Sequence, residues 1–138
     1  MESDEIIVMD THTLVWLTEG NEKLGNQAKR IIRQALDEQR LFVSAISFWE
    51  VALLCKKHRI YLATPVSAWR SKLLTNRLQE IPVTGEIAVL STQLSDFHAD
   101  PADRFITATA LLHNATLITA DSLILNWGGQ LQRHNAKL

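Results

Sequence analysis

Cysteine is almost missing from this chain. Cys55 is the one thiol in 138 residues, which excludes an internal disulfide and a cysteine-based zinc site; in its apolar stretch it reads as a small core residue. Glycine and proline are sparse, at five and three, with no linker, low-complexity tract or repeat, so the elements must follow one another closely. Long apolar runs are lacking too. Behind the acidic Met1–Asp4 stretch the run is Ile6-Ile7-Val8-Met9, too short for a signal peptide or a membrane span, and the expected compartment is the cytosol. Neither sign of charge dominates: 14 basic residues face 15 acidic ones, for a net charge of -1. That balance excludes a strongly basic nucleic-acid coat protein or a polybasic membrane binder, but leaves a nucleic-acid enzyme open. A hydrophobic share of 46% with 21% charged residues is ordinary globular composition, and the length fits one domain over 1–138.

Short apolar runs alternate with helical patterns. Ile6–Met9 ends in Asp10 and reads as a strand buried on both faces. Thr11–Leu17 is a short helix stopped by Gly20, and Gln27–Gln39 a longer one with Ala28, Ile31, Ile32, Ala35 and Leu36 on one stripe. Leu41–Val43 is a second buried strand. Ser47–Lys57 and Val66–Leu78 are helices, and Glu80–Val83, which contains Pro82, is an edge strand. Glu86–Leu94 and Ala102–His113 are helices, Thr116–Thr119 is a strand followed by Asp121, and a last strand is expected near Leu131. Strands alternating with helices imply parallel pairing through crossovers, hence an α/β three-layer α/β/α sandwich with a mainly parallel central sheet. The pattern leaves the strand order open.

Acids fall at informative places. Ligands of open α/β sheets bind outside the carboxyl ends of the strands, where Asp10 and Asp121 are delivered. Each also suits a helix N-cap, and both readings stand. Glu50 lies in the apolar segment Phe48–Leu54, on one stripe with Ile46, Leu53 and Leu54, where a carboxylate is costly to bury unless paired or metal-bound. Its alternative is a capping box, Ser47-x-x-Glu50. In His98-Ala99-Asp100-Pro101-Ala102-Asp103-Arg104, Asp100 suits the N-cap, Pro101 the first helical position and Asp103 the N3 position. Asp103 shares its stripe with Ile106, Thr107 and Ala110, so it points inward. Four such carboxylates at one sheet edge repel one another without a cation. Oxygen-only ligation suits Mg²⁺ or Mn²⁺ rather than zinc. Such a site holds metal that ionises a water and clamps a phosphate.

At these residues the chain resembles the PIN-domain family, specifically its VapC-type toxins of bacterial toxin–antitoxin modules. The likeness rests on Met9-Asp10-Thr11-His12-Thr13-Leu14-Val15-Trp16-Leu17, on Val43-Ser44-Ala45-Ile46-Ser47-Phe48-Trp49-Glu50-Val51, on Asp100 to Ala110, and on Ala115 to Asp121. The resemblance implies Mg²⁺-dependent endoribonuclease activity, with Asp10, Glu50 and Asp103 at the positions of the three core acids and Asp121 at the fourth. It implies a PIN-like fold, a homodimer, inhibition by a cognate VapB-like antitoxin, and Thr11 and Thr119 as supporting hydroxyls. The expected mechanism has Asp10 and Asp103 binding one or two Mg²⁺, Glu50 and Asp121 completing the shell, and Glu50 assisting proton removal. One departure is visible: similar chains often carry Gly before the Arg-Ile pair, where this one has His58 before Arg59-Ile60.

Lys56, Lys57 and Arg59, with Arg104, are the candidate RNA contacts; the cluster reads equally as a helix end whose cations suit the macrodipole. Trp16, Trp49, Trp69 and Trp127 read mostly as core or interface residues. No histidine has metal-ligand spacing with a partner, and His98 and His113 read as loop and helix-end residues. Three rival functions are weighed. An aspartyl phosphatase wants a second Asp where His12 stands, and a phospho-accepting receiver wants one where Ser44 stands. The third, a catalytically inert PIN-like metal- or RNA-binding subunit, is opposed by the intact set of acids. With four acids set aside in one pocket, 11 acidic residues face 14 basic ones elsewhere. Two bound Mg²⁺ would bring the net charge to about +3.

Overall fold

The computed structural model describes residues 4–138, so Met1–Ser3 of the acidic N-terminal stretch lie outside the described residues. The apolar runs become the three inner strands of one parallel sheet, β1 (Ile7–Met9), β2 (Leu41–Ser44) and β4 (Thr116–Thr119), and two polar segments form its edges, β3 (Gln79–Ile81) and β5 (Gln132–Asn135). The helices are α1 (Thr11–Glu19), α2 (Asn26–Asp37), α3 (Ala45–Lys56), α4 (Val66–Thr75), α5 (Gly85–Ser91), α6 (Pro101–Leu112) and the single turn α7 (Ser122–Leu125). The sheet order is β3-β2-β1-β4-β5. β1 lies at the centre, Met9 beside Val43 on one flank and Ile118 on the other. The expected edge strand containing Pro82 is β3, and it ends at Ile81.

The uninterrupted apolar strands follow from burial on both faces. Ile7, Met9, Leu41, Val43 and Ile118 pack toward Leu14, Ala28, Ile32 and Ala35. Val8 and Leu117, one residue out of step, pack on the other face with Ile87, Ile106, Ala108 and Ala110. No helix among the described residues is long and apolar enough to cross a membrane.

Two local features differ from the sequence reading. Helix α3 starts at Ala45, because the Ser44 hydroxyl caps it by accepting from the Ile46 amide at 3.2 Å. Ser47 therefore lies inside the first turn, buried, with its hydroxyl 3.0 Å from Thr11 Oγ1, and no Ser47–Glu50 capping box forms. At the other end of α3, His58 takes the left-handed conformation, with φ 56°. The His58 amide donates to Cys55 O and the Arg59 amide to Leu54 O, the paired bonds of a Schellman stop that favours glycine at this residue. The turn forms in spite of the side chain, at a cost of about 1–2 kcal/mol for a non-glycine residue. His58→Gly should therefore raise stability by up to about 1 kcal/mol, since added unfolded-state entropy offsets part of the relief. Denaturant unfolding measures it, and a loss of stability would contradict the assignment.

The end of the described chain is tied to α2. Gly25 N donates to Ala136 O at 2.8 Å and Gln27 N to Leu138 O at 2.7 Å. A Cβ on Gly25 would lie 2.2 Å from the Leu138 carbonyl carbon, so only glycine permits this approach. The contact brings Lys137 to the carboxyl edge of the sheet.

Candidate active site

The chain adds β2 and β3 on one side of β1, and β4 and β5 on the other, so the strand order reverses between β1 and β4. A crevice opens at such a point, beyond the strand ends. It has a volume of about 510 Å³ and is lined by Asp10, Glu50, Asp100, Asp103 and Asp121, with His12, Trp16, Lys23, Ala120 and Lys137. All four expected carboxylates meet there, from four separate segments.

Asp10 follows β1 directly and caps α1: its Oδ1 accepts from the Thr13 amide at 2.9 Å. Its Oδ2 accepts from the Thr119 hydroxyl at 2.5 Å, and that same hydroxyl accepts from the Asp121 amide at 3.1 Å. One threonine at the end of β4 thus joins the two strand-end acids. Asp121 caps α7, accepting from the Leu123 and Ile124 amides. Capping and site placement coincide in both aspartates, because strand-end loops and helix N-termini are the same place in this architecture.

Asp10 is 5% exposed, and burial pushes its carboxyl pKa up against the hydrogen bonds from Thr119 and Thr13. Glu50, in the second turn of α3, is half-buried and also raised. Burial is the main cause, Asp100 and Asp10 add like-charge repulsion, and the Thr11 hydroxyl and His12 pull the other way. Asp103, at N3 of α6, is pushed up to about 6 by burial first, opposed by the His98 hydrogen bond, with Asp100 and Asp121 adding repulsion. Asp100 is exposed and accepts from the Asp103 amide at 2.9 Å, the capping role expected of it. Burial is the largest cause in all three, and like-charge repulsion adds to it at Glu50 and Asp103; a cation beside these carboxylates would favour their charged forms. The donor set fits a divalent cation.

Other residues are placed differently from expectation. His98, read as a loop residue, puts Nε2 2.7 Å from Asp103 Oδ2. Its ligand nitrogen and carboxylate oxygens of Asp103 and Asp121 lie within 4.8 Å of one another. Sequence spacing offers no period for that pair, since His98 lies on the loop ahead of the helix. Arg104 is not a free phosphate contact. Its Nε donates to His98 O, one terminal nitrogen to Ser91 O and the other to Phe97 O, at 2.6–3.0 Å. These carbonyls compete with any phosphate, and the guanidinium acts as a clamp on the loop. Lys56, Lys57 and Arg59 are exposed at the far end of α3 and do not line the cleft. The cations that do are Lys23 and Lys137, which no local pattern pairs. Trp16 lines the cleft and Trp49 is 49% exposed, whereas Trp69 packs edge-on against Phe48 and Trp127 against Phe97.

Residues 7–126 match the model of the PIN domain. The chain is 37% identical over 116 residues to Ribonuclease VapC22 of Mycobacterium tuberculosis, covering 83% of this chain and 86% of that protein. This chain belongs to the PIN-domain family. Among solved structures, its fold is similar to VapBC2 from Rickettsia felis bound to a promoter DNA fragment, with a TM-score of 0.69, 17% identity and coverage of 94% and 98%. VapBC-1 from nontypeable Haemophilus influenzae gives the same TM-score at 20% identity, covering 96% and 99%. The parallel sheet with helices on both faces is the PIN-like architecture expected from the sequence.

Proposed function

We propose that this PIN domain hydrolyses phosphodiester bonds of RNA as an endoribonuclease using a bound divalent cation, Mg²⁺ or Mn²⁺, and serves as the toxin of a VapBC-type pair. The observation that carries this reading is the meeting of Asp10, Glu50, Asp103 and Asp121 in one cleft, with three of them held above their ordinary pKa. Likeness to a protein named as a ribonuclease supports RNA as substrate. Likeness to structures of toxin–antitoxin complexes supports an antitoxin as partner.

Asp10, Asp103 and Asp121 would hold the cation, with Glu50 beside them. When bound, such an ion polarises the phosphoryl group and lowers the pKa of a water. Glu50 is half-buried and its raised pKa suits it to take a proton from an attacking water. Thr119 and Thr13 fix the Asp10 carboxylate, so that it needs no rearrangement to act. Lys23 and Lys137 line the cleft beside the acids and supply positive charge to a passing phosphate backbone, and Trp16 offers an aromatic face.

The test is cleavage of RNA by purified protein with added Mg²⁺ or Mn²⁺, abolished by chelation. RNA binding without turnover under any divalent ion would favour the inert binding subunit instead. In a binding assay, replacing Lys23 and Lys137 together by Ala should flatten the dependence of log affinity on log salt by about 0.7 per lost single-strand phosphate contact. An unchanged slope would remove both lysines from the interface.

A further inference from the structure

We infer that His98 is a metal ligand of this cleft, its Nε2 joining Asp103 and Asp121 on one cation to make a mixed nitrogen–oxygen site. The inference rests on the cleft binding metal as proposed above and adds the donor that decides which metal.

Three observations carry it. The imidazole nitrogen and the two carboxylate oxygens are within 4.8 Å of one another; two bonds of about 2.0–2.2 Å reach across at most about 4.4 Å, so one ion gathers all three donors with side-chain shifts of a few tenths of an ångström or slightly more. The side chains of His98 and Asp103 are only 20% and 18% exposed, so the pair is largely shielded from solvent, with Asp103 lining the cleft and His98 behind it. The ring is also oriented from behind. It stacks on Phe97 at 4.5 Å between centroids, and Arg104 holds the carbonyls of Phe97 and His98. Trp127 packs edge-on against Phe97 while its Nε1 donates to Ser95 O at 2.8 Å. A surface histidine that merely caps a charge has no need of a clamp made by two other side chains.

The consequence is selectivity. Mg²⁺ prefers oxygen ligands and keeps its waters, whereas imidazole suits first-row transition ions. A site of two carboxylates and one imidazole therefore favours Mn²⁺ over Mg²⁺ more than carboxylates alone would. His98 is the residue setting that ratio, and Arg104 is its positioning residue.

Pulsed electron paramagnetic resonance on the Mn²⁺-loaded full chain tests this without any turnover. Modulation from a directly coordinated nitrogen is expected in the native protein. It should be lost in His98→Ala and kept in His12→Gln, which removes the imidazole that lines the cleft. His98→Ala should weaken Mn²⁺ binding by about tenfold or more and Mg²⁺, measured by competition, by clearly less; His98→Asn, which keeps a polar side chain, should behave alike. Mn²⁺ binding without nitrogen modulation, together with equal loss for both ions, would show that His98 only hydrogen-bonds Asp103; the inference then falls and the metal site stands. Modulation lost with His12→Gln but not with His98→Ala overturns the assignment as well. No Mn²⁺ or Mg²⁺ binding by the native chain overturns both the inference and the reading beneath it.

Discussion

Asp10→Asn should reduce RNA cleavage by on the order of a thousandfold while the protein becomes more stable without metal. The first effect follows from losing a charged ligand where a cation supplies several kcal/mol of transition-state stabilisation. The second follows from the position of Asp10. Its carboxylate is buried and its pKa raised by that burial, so a neutral isostere relieves a desolvation cost. Asn retains an oxygen to accept from the Thr13 amide, and the Thr119 hydroxyl can turn to accept from the new amide nitrogen. Asp10→Ala is a poorer probe. It strips the cap from α1, at about 0.5–2 kcal/mol, and leaves the Thr119 hydroxyl without its acceptor. Cleavage rates and thermal unfolding of the two variants separate these terms, and near-native cleavage by Asp10→Asn would sink the catalytic assignment.

Metal-free protein should lose stability as pH rises from about 4 to 6, and added divalent cation should restore it at pH 7. Asp103 has a folded pKa of about 6 against an ordinary value of 3.8, so the folded state binds its proton more tightly. Stability falls with pH wherever the folded state holds the extra proton. The contribution is therefore full below the ordinary value, lost progressively across this window and absent above it. Asp10 and Glu50 are shifted in the same direction. Glu38 and Glu80, lowered by their arginine partners, act oppositely at the acid end, so the diagnostic quantity is the difference between native protein and Asp103→Asn. That variant should flatten the fall. At a hundred times its dissociation constant a cation adds about 2.7 kcal/mol, roughly 10 °C in Tm for a domain of this size. A metal-free Tm that stays level through the window and ignores added cation would contradict the site's electrostatics.

Much of this was legible before any fold was known, for identifiable reasons. Ile6–Met9 and Thr116–Thr119 read as strands because burial on both faces leaves no charged residue in them. Asp10 and Asp121 followed because an acid directly after such a strand has few places to be. Glu50 and Asp103 stood out as carboxylates on apolar stripes. The alternative of a Ser47–Glu50 capping box does not form because Ser44, three residues earlier, is an equally good cap and the turn out of β2 selects it. Trp49 belonged to an apolar pattern yet is half exposed, since α3 packs through Phe48 and Val51 instead.

The composition, the alternation of elements and the positions of the acids were thus determined by the sequence alone, because local hydrophobic period and capping chemistry are short-range. The order β3-β2-β1-β4-β5 was decided by tertiary structure, and with it the adjacency of Asp10 and Thr119, 109 residues apart. So were the exchange of Arg104 from substrate contact to loop clamp, the pairing of His98 with Asp103, and the arrival of Lys23 and Lys137 at one cleft. Each depends on which backbone groups and charges lie across space, and no spacing along a chain encodes that distance.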